Sequence, residues 1–130
     1  RDFRVENDVA SLQTTAGQFT ADYIFNSSLR QEIPDGYNAV MQHFKGWIIE
    51  TPVDCFDPEV ATFMDFRIAQ AGETRFVYVL PDNARRAMVE GTIFSNQLLS
   101  AAEYDEINAS YIRDFLNIND YKINTLRKGV

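Results

Sequence analysis

Positive charge is in short supply in this chain. Twelve Lys and Arg stand against 19 Asp and Glu, a formal charge of −7 over 130 residues. That balance argues against a nucleic-acid partner, which needs a basic stripe, and against electrostatic attachment to anionic lipid. Cysteine is scarcer still. Cys55 alone rules out an internal disulfide, and with no CxxC and no Cys/His cluster there is no metal-ligand pattern, so a reducing compartment is the default expectation. The six glycines are scattered and form neither GxGxxG nor GxxxxGK, which excludes a phosphate loop for a nicotinamide, flavin or nucleoside triphosphate in these residues. Apolar runs fall far short of the roughly 20 residues of a membrane span, and no signal-peptide pattern opens the chain. With no internal repeat or low-complexity segment, solenoids and linkers are also excluded. Arg1 at the start and a strand-like segment just before Gly129-Val130 suggest an excised piece of a longer protein.

What is present is ordinary globular composition, 45% hydrophobic and 24% charged, enriched in aromatics at 13%. Ten Phe and six Tyr offer apolar surface to fill or display. Val9–Thr14 and Gln18–Asn26 are expected to form strands joined at Thr15-Ala16-Gly17. After a connector from Ser27 to Gly36, a long strand is expected from Tyr37 to Glu50. Both of its faces are mixed, so something covers or fills each side. Val60–Gln70, Thr74–Leu80 and Arg85–Phe94 read as three further strands in an antiparallel meander, turning at Ala71-Gly72-Glu73 and Pro81–Ala84. Ser100-Ala101-Ala102-Glu103 is a capping box. The helix behind it lays Tyr104, Ile107, Tyr111 and Phe115 on the sheet as core, and turns Asp105, Glu106, Arg113 and Asp114 largely away. Tyr121–Leu126 is a last short strand. The expected class is α+β, a mainly antiparallel sheet with one main amphipathic helix packed on it.

Three places could carry chemistry. In Met88-Val89-Glu90-Gly91-Thr92 a carboxylate stands in a strand whose two faces are both largely apolar. Burial disfavours its charged form, so Glu90 can donate a proton near neutral pH. The alternative is an ion pair with Arg67, Arg75 or Arg86. In Met64-Asp65-Phe66-Arg67, regular alternation puts Asp65, Arg67 and Phe63 on one face, either as a surface ion pair or as an Arg holding a carboxylate in a cavity. In Gln42-His43-Phe44-Lys45-Gly46-Trp47, His43 is the only histidine, structural or catalytic, with no triad partner motif beside it. Gly46 marks a bulge or a spot where a ligand approaches the backbone.

Taken in order, Gln42–Trp47, Met64–Arg67, Phe76-Val77-Tyr78-Val79-Leu80-Pro81, Met88–Thr92 and the helix resemble the middle of a lycopene cyclase of the bacterial flavoprotein type, from about Ala21 onward. The resemblance implies a substrate-binding domain at 29–118, inserted in a flavin-binding domain to which 1–28 and 119–130 belong as flanks. Phe25-Asn26-Ser27-Ser28 resembles the family's Phe-Asp-Ser-Arg, with Asn26 in place of Asp and Ser28 in place of Arg. Glu90 matches the family's essential acid or base, whereas Gly91 stands where the family has a second acidic residue, so a two-carboxylate device does not carry over. The implied activity is redox-neutral cyclisation of the ends of an acyclic carotenoid, lycopene. Asp65, Arg67, His43, Trp47, Phe66, Phe76 and Tyr78 are then expected pocket residues, the rings stabilising a cation. The implied cofactor is reduced FAD with NADPH as reductant, neither expected on this piece alone. The implied setting is cytoplasmic and peripheral to the membrane, and the isolated piece, expected to be inactive, could dimerise through open strand edges. Another flavin-dependent hydroxylase or isoprenoid reductase, or a non-catalytic carrier of an apolar ligand, stays open beside this reading.

Overall fold

Branched and aromatic residues at alternate positions build two antiparallel sheets, each in its own unit. The computed structural model describes residues 2–6, 9–25, 36 and 38–130. The chain divides into two compact units, Arg1–Tyr37 and Asn38–Val130. The first holds a three-stranded meander of β1 (Asp2–Glu6), β2 (Val9–Thr14) and β3 (Gly17–Ala21). Gly17, at φ 126°, begins β3 after the expected turn, where the Thr14 hydroxyl accepts from the Ala16 amide and donates to the Gly17 carbonyl. Two details differ from expectation. β1 was not foreseen, and β3 ends at Ala21 instead of running to Asn26. Asn26 and Ser28 lie outside the described residues.

The second unit is a five-stranded antiparallel sheet in the order β5-β6-β7-β4-β8, with one helix. Its strands are β4 (Met41–Glu50), β5 (Thr62–Asp65), β6 (Thr74–Asn83), β7 (Arg86–Ser95) and β8 (Lys122–Gly129), and α1 spans Ala101–Asp114. The α+β class is therefore present, with β5-β6-β7 as the meander and β4 returning beside β7. The helix starts at the expected capping box. The Ser100 hydroxyl accepts from the Glu103 amide, and the Glu103 carboxylate accepts from the Ser100 amide, a device that satisfies two orphan donors of the first turn. Beneath the helix lies the core, in which Trp47, Ile49, Val77, Val79, Ala87 and Val89 of the sheet meet Tyr111 and Ile112, with Ile118 beyond the helix end.

Strand lengths depart from expectation where the backbone breaks regular alternation. The segment Val60–Gln70 supplies only the four residues of β5. Met64 is left-handed at φ 56°, and β5 moves three residues, Thr62 to Asp65, while β6 moves two, Val79 to Val77. That is a bulge, and it reverses the side on which Asp65 falls. Past the bulge the chain turns: the Asp65 carboxylate accepts the Arg67 amide at 3.1 Å. Gln70 then bonds the carbonyls of Phe66, Ile68 and Arg75. At the other end, Pro81–Ala84 is not the turn. β6 continues to Asn83 through an irregularity at Pro81/Asn83, leaving a two-residue connection, Ala84 and Arg85.

Candidate active site

Four strands contribute one residue each to a row across the face of the sheet that α1 does not cover. Tyr78 of β6 is opposite Glu90 of β7, Glu90 is opposite Gly46 of β4, and Gly46 is opposite Arg127 of β8. Glu90 falls on this face because its neighbours Val89 and Gly91 point into the helix side, Val89 in the core and Gly91 against Ile107. Its carboxyl extends over Gly46, where a Cβ would come within 2.8 Å of Glu90 Oε2. Gly46 is not a bulge, since β4 and β7 stay in register from Met41 to Glu50; the group that comes close to its backbone is the Glu90 side chain, where a ligand was the expectation. Burial pushes the Glu90 carboxyl above the ordinary carboxylate range, opposed by the charge of Arg127. Among the described residues nothing hydrogen-bonds to it. The arginines offered as partners are taken elsewhere: Arg67 by Asp65, Arg75 by Glu73 and Arg86 by Asp82.

Around that carboxyl the face is aromatic. Phe76 packs edge-on against Tyr78 at 5.3 Å and against Phe66 at 5.2 Å, with Phe94 at 6.1 Å. Phe63 stands edge-on to Tyr78 at 5.1 Å. Phe63 is 73% and Phe66 48% exposed, so the outer edge of the layer presents apolar rings that this unit leaves unfilled. Glu90, Phe66, Phe76 and Tyr78 are thus brought together.

The other expected site residues lie on the helix side. Trp47 is core and meets the Tyr121 ring at 6.4 Å. His43 is fully buried, its Nε2 2.8 Å from Ser95 Oγ and its Nδ1 on the Tyr104 hydroxyl. Because Ser95 Oγ donates its only proton to the Gln97 carbonyl, it accepts from Nε2–H, and in the neutral ring Nδ1 accepts from Tyr104. This arrangement holds the N-terminal turn of α1 on β4 and β7. The bulge at Met64 sends Asp65 to this side as well, away from Phe63. There its carboxylate, with a side chain only 7% exposed, accepts a fork from Arg67 and the Tyr111 hydroxyl at 2.7 Å. The Arg67 fork, with Tyr111, holds Asp65 well below the usual carboxylate range. Arg67 itself is 67% exposed and lies over the Phe115 ring at 4.9 Å. Asp65 and Arg67 form a clasp between the end of β5 and α1, on the opposite face of the sheet from Glu90.

Three residues of consequence escaped the sequence reading. Arg127 sits in the last strand, where only the β4–β8 register reveals it. Asn108 interrupts the apolar stripe of the helix, yet is buried, and a polar residue at a core position was its one signal. Asp105, expected to face away, pairs with Lys45 of β4.

A family model of lycopene cyclase proteins matches residues 4–130, nearly the whole chain, and so includes the row centred on Glu90. The chain belongs to the lycopene cyclase protein family. No curated protein and no solved structure matches it. The second sheet, aromatic face included, lies wholly within the stretch that matches the lycopene cyclase family.

Proposed function

We propose that this chain carries the substrate face and the proton-donating carboxyl of a lycopene cyclase acting on the ends of an acyclic carotenoid. One observation carries the reading: Glu90 is a half-buried carboxyl with no hydrogen-bond partner among the described residues, raised by burial and set in a layer of aromatic rings. A structural carboxylate is normally paired, as Asp65 is. An acid that must give its proton to an alkene needs the opposite setting.

The chemistry balances without oxidation or reduction. The terminal double bond takes the Glu90 proton to form a C–H bond, leaving a cation on the adjacent carbon. The neighbouring double bond attacks that cation, closing the ring, and a different proton is lost to leave a ring alkene. Tyr78 and Phe66 offer π-faces, each contributing on the order of 0.5–2 kcal/mol to cation stabilisation, and the buried Phe76 packs edge-on against both and holds them in place. They also keep away water that would trap the cation.

Reduced FAD with NADPH as reductant belongs to the same reading, but the described residues do not fit a flavin pyrophosphate. The N-terminus of α1 is filled by the Glu103 carboxylate. Gly17, Gly36 and Gly72, the glycines at positive φ, sit at separate places in the chain and form no phosphate cradle. No step above passes through flavin, and the isolated chain is proposed to be inactive. Peripheral membrane contact belongs to the same proposal because so apolar a substrate resides in the bilayer, and the cytoplasmic side is proposed with it. No helix among the described residues is long and apolar enough to cross a membrane.

The test is Glu90→Gln in the complete gene product, given lycopene. Ring formation is expected to vanish while the circular dichroism spectrum is kept, and retained cyclisation overturns the role. Product mass separates the other activities: cyclisation leaves it unchanged, a hydroxylase adds oxygen and a reductase adds hydrogen.

A further inference from the structure

We propose that Gly46 and Arg127 are positioning residues for Glu90: Gly46 leaves a notch in β4 through which the carboxyl extends, and Arg127 is the charge on the far side of that notch. The inference rests on Glu90 being the proton donor. It goes beyond that role by naming what sets the place and the strength of the acid.

The geometry is specific. A Cβ on Gly46 would come within 2.8 Å of Glu90 Oε2, 3.2 Å of its Cβ and 3.3 Å of its Cγ. Real Cβ atoms essentially never lie as close as the first of these, so any side chain at position 46 must displace the carboxyl. Gly46 has no positive φ, so a turn conformation does not require glycine there, and the space above it does. Directly across Gly46 on the next strand is Arg127. The other ionisable groups on this face are few. Tyr78 faces Glu90 from β6. Arg86 of β7, Glu50 of β4 and Lys122 of β8 stand in one row at the strand ends, with Asp82 paired to Arg86; Arg86 and Glu50 are four positions along from Glu90 and Gly46, roughly 13 Å at strand spacing. Arg127 is therefore the cation aimed at the acid.

Its consequence for proton transfer follows from charge alone. Once Glu90 has given up its proton, a carboxylate faces the substrate cation and could take the proton back. A guanidinium across the notch favours the carboxylate, making Glu90 a stronger acid than burial by itself would allow. Being exposed, Arg127 acts through partly screened space, so its effect fades as salt is raised.

The experiment uses the complete protein with lycopene and records kcat/KM against pH at low and high salt. Because the acid must be protonated to act, the rate falls at alkaline pH as Glu90 ionises. Arg127→Gln is expected to move that alkaline limb to higher pH and to remove its salt dependence, while Arg127→Lys restores both. Loss of packing alone would lower the rate without moving the limb. Gly46→Ala is expected to lower kcat about tenfold or more, with KM close to the parent and the thermal melt retained. A limb that stays in place in Arg127→Gln overturns the part given to Arg127, and an unchanged kcat in Gly46→Ala overturns the notch. If Gly46→Ala does not fold, the Arg127 pair decides. Should Glu90→Gln itself retain cyclisation, the assignment of the acid has failed. If Glu90→Gln is dead while the other variants match the parent, only this inference has failed.

Discussion

The side-chain oxygen of Asn108 lies 2.9 Å from the amide nitrogen of Gly91, the residue that follows Glu90. The Asn108 amide group donates at 2.9 Å to the carbonyl of Lys45, which is the register partner of Gly91. One buried side chain thus ties the helix to both central strands beneath the acid. The contact leaves no room at position 91: a Cβ there would meet Ile107 Cγ2 at 2.9 Å and Asn108 Oδ1 at 3.2 Å. The acidic residue that the resembled motif carries after its Glu has no place here. It would point into the helix, on the opposite side of the sheet from Glu90.

Two substitutions test this packing in a urea melt. Gly91→Ala should cost about 1–3 kcal/mol by overpacking. Gly91→Asp should cost more, because it also buries a carboxylate against the Asn108 oxygen. Asn108→Ala should cost on the order of 2–4 kcal/mol, since it strands a buried amide and a buried carbonyl together.

Glu90 should weaken the fold that holds it. Its carboxyl is raised in the folded chain by burial, against the pull of Arg127, so the native state holds its proton to higher pH than the unfolded chain does. Stability from this group is complete below the unfolded value and is lost as pH rises through the folded one. Glu90→Gln removes the charge at almost constant shape. The variant should therefore melt at a higher temperature than the parent at pH 7, with the difference gone below about pH 4, where both are neutral. A lower melting temperature for Glu90→Gln at pH 7 would show that the carboxylate is paired after all. A gain in stability together with a loss of activity is the signature of a strained functional group.

What could be read from the chain, and what could not, divides by sequence separation. The capping box from Ser100 to Glu103 is four residues long and was legible because its hydrogen bonds close within one turn. Glu90 was legible because the apolar character of both faces is written in its own strand. His43 and Tyr104 are 61 positions apart, and Asp65 and Tyr111 are 46 apart; no local pattern joins them. Asp65 shows the cost most clearly. Regular alternation put it on a face with Phe63, and one left-handed residue, Met64, moved it to the other side of the sheet. Gly46 stands out in its strand as a bulge or a place for a ligand, but what approaches it is the Glu90 side chain, visible only once β4 and β7 are set in register.

His43 should prove structural. In the bonded row from Tyr104 through His43 and Ser95 to the Gln97 carbonyl, each group has one partner to give to or take from. Ser95→Ala leaves the His43 Nε2–H without an acceptor in a fully buried place, at a cost of about 1–3 kcal/mol. Tyr104→Phe should cost a similar amount and loosen the first turn of α1, measurable as faster amide exchange at Glu103 and Tyr104. Neither variant should move the alkaline limb of kcat/KM, because both lie across the sheet from Glu90.

The Asp65–Tyr111 contact makes opposite demands at the two ends of the pH scale. The Arg67 fork holds Asp65 well below its ordinary 3.8. Tyr111, neutral and donating to Asp65 from a buried site, is pushed up to about 12 from 10.0. Asp65 is a depressed acid, so its contribution is complete above the unfolded value and is lost as pH falls below about 4. Tyr111 is a raised acid, so its contribution holds below its unfolded value near 10 and is lost as pH climbs toward 12. Denaturant melts across pH should therefore fall away at both ends. Tyr111→Phe is expected to cost about 1–2 kcal/mol at neutral pH through the missing hydrogen bond to a charged acceptor, and to flatten the alkaline side. Asp65→Asn should flatten the acid side, because the amide has no proton to take up. Acid limbs that coincide in the parent and in Asp65→Asn would mean that the clasp between β5 and α1 adds nothing to stability in solution. Any acid lability would then belong to other carboxylates, such as Asp54 with Arg85 and Asp114 with Arg113, both exposed pairs of the kind that contributes little.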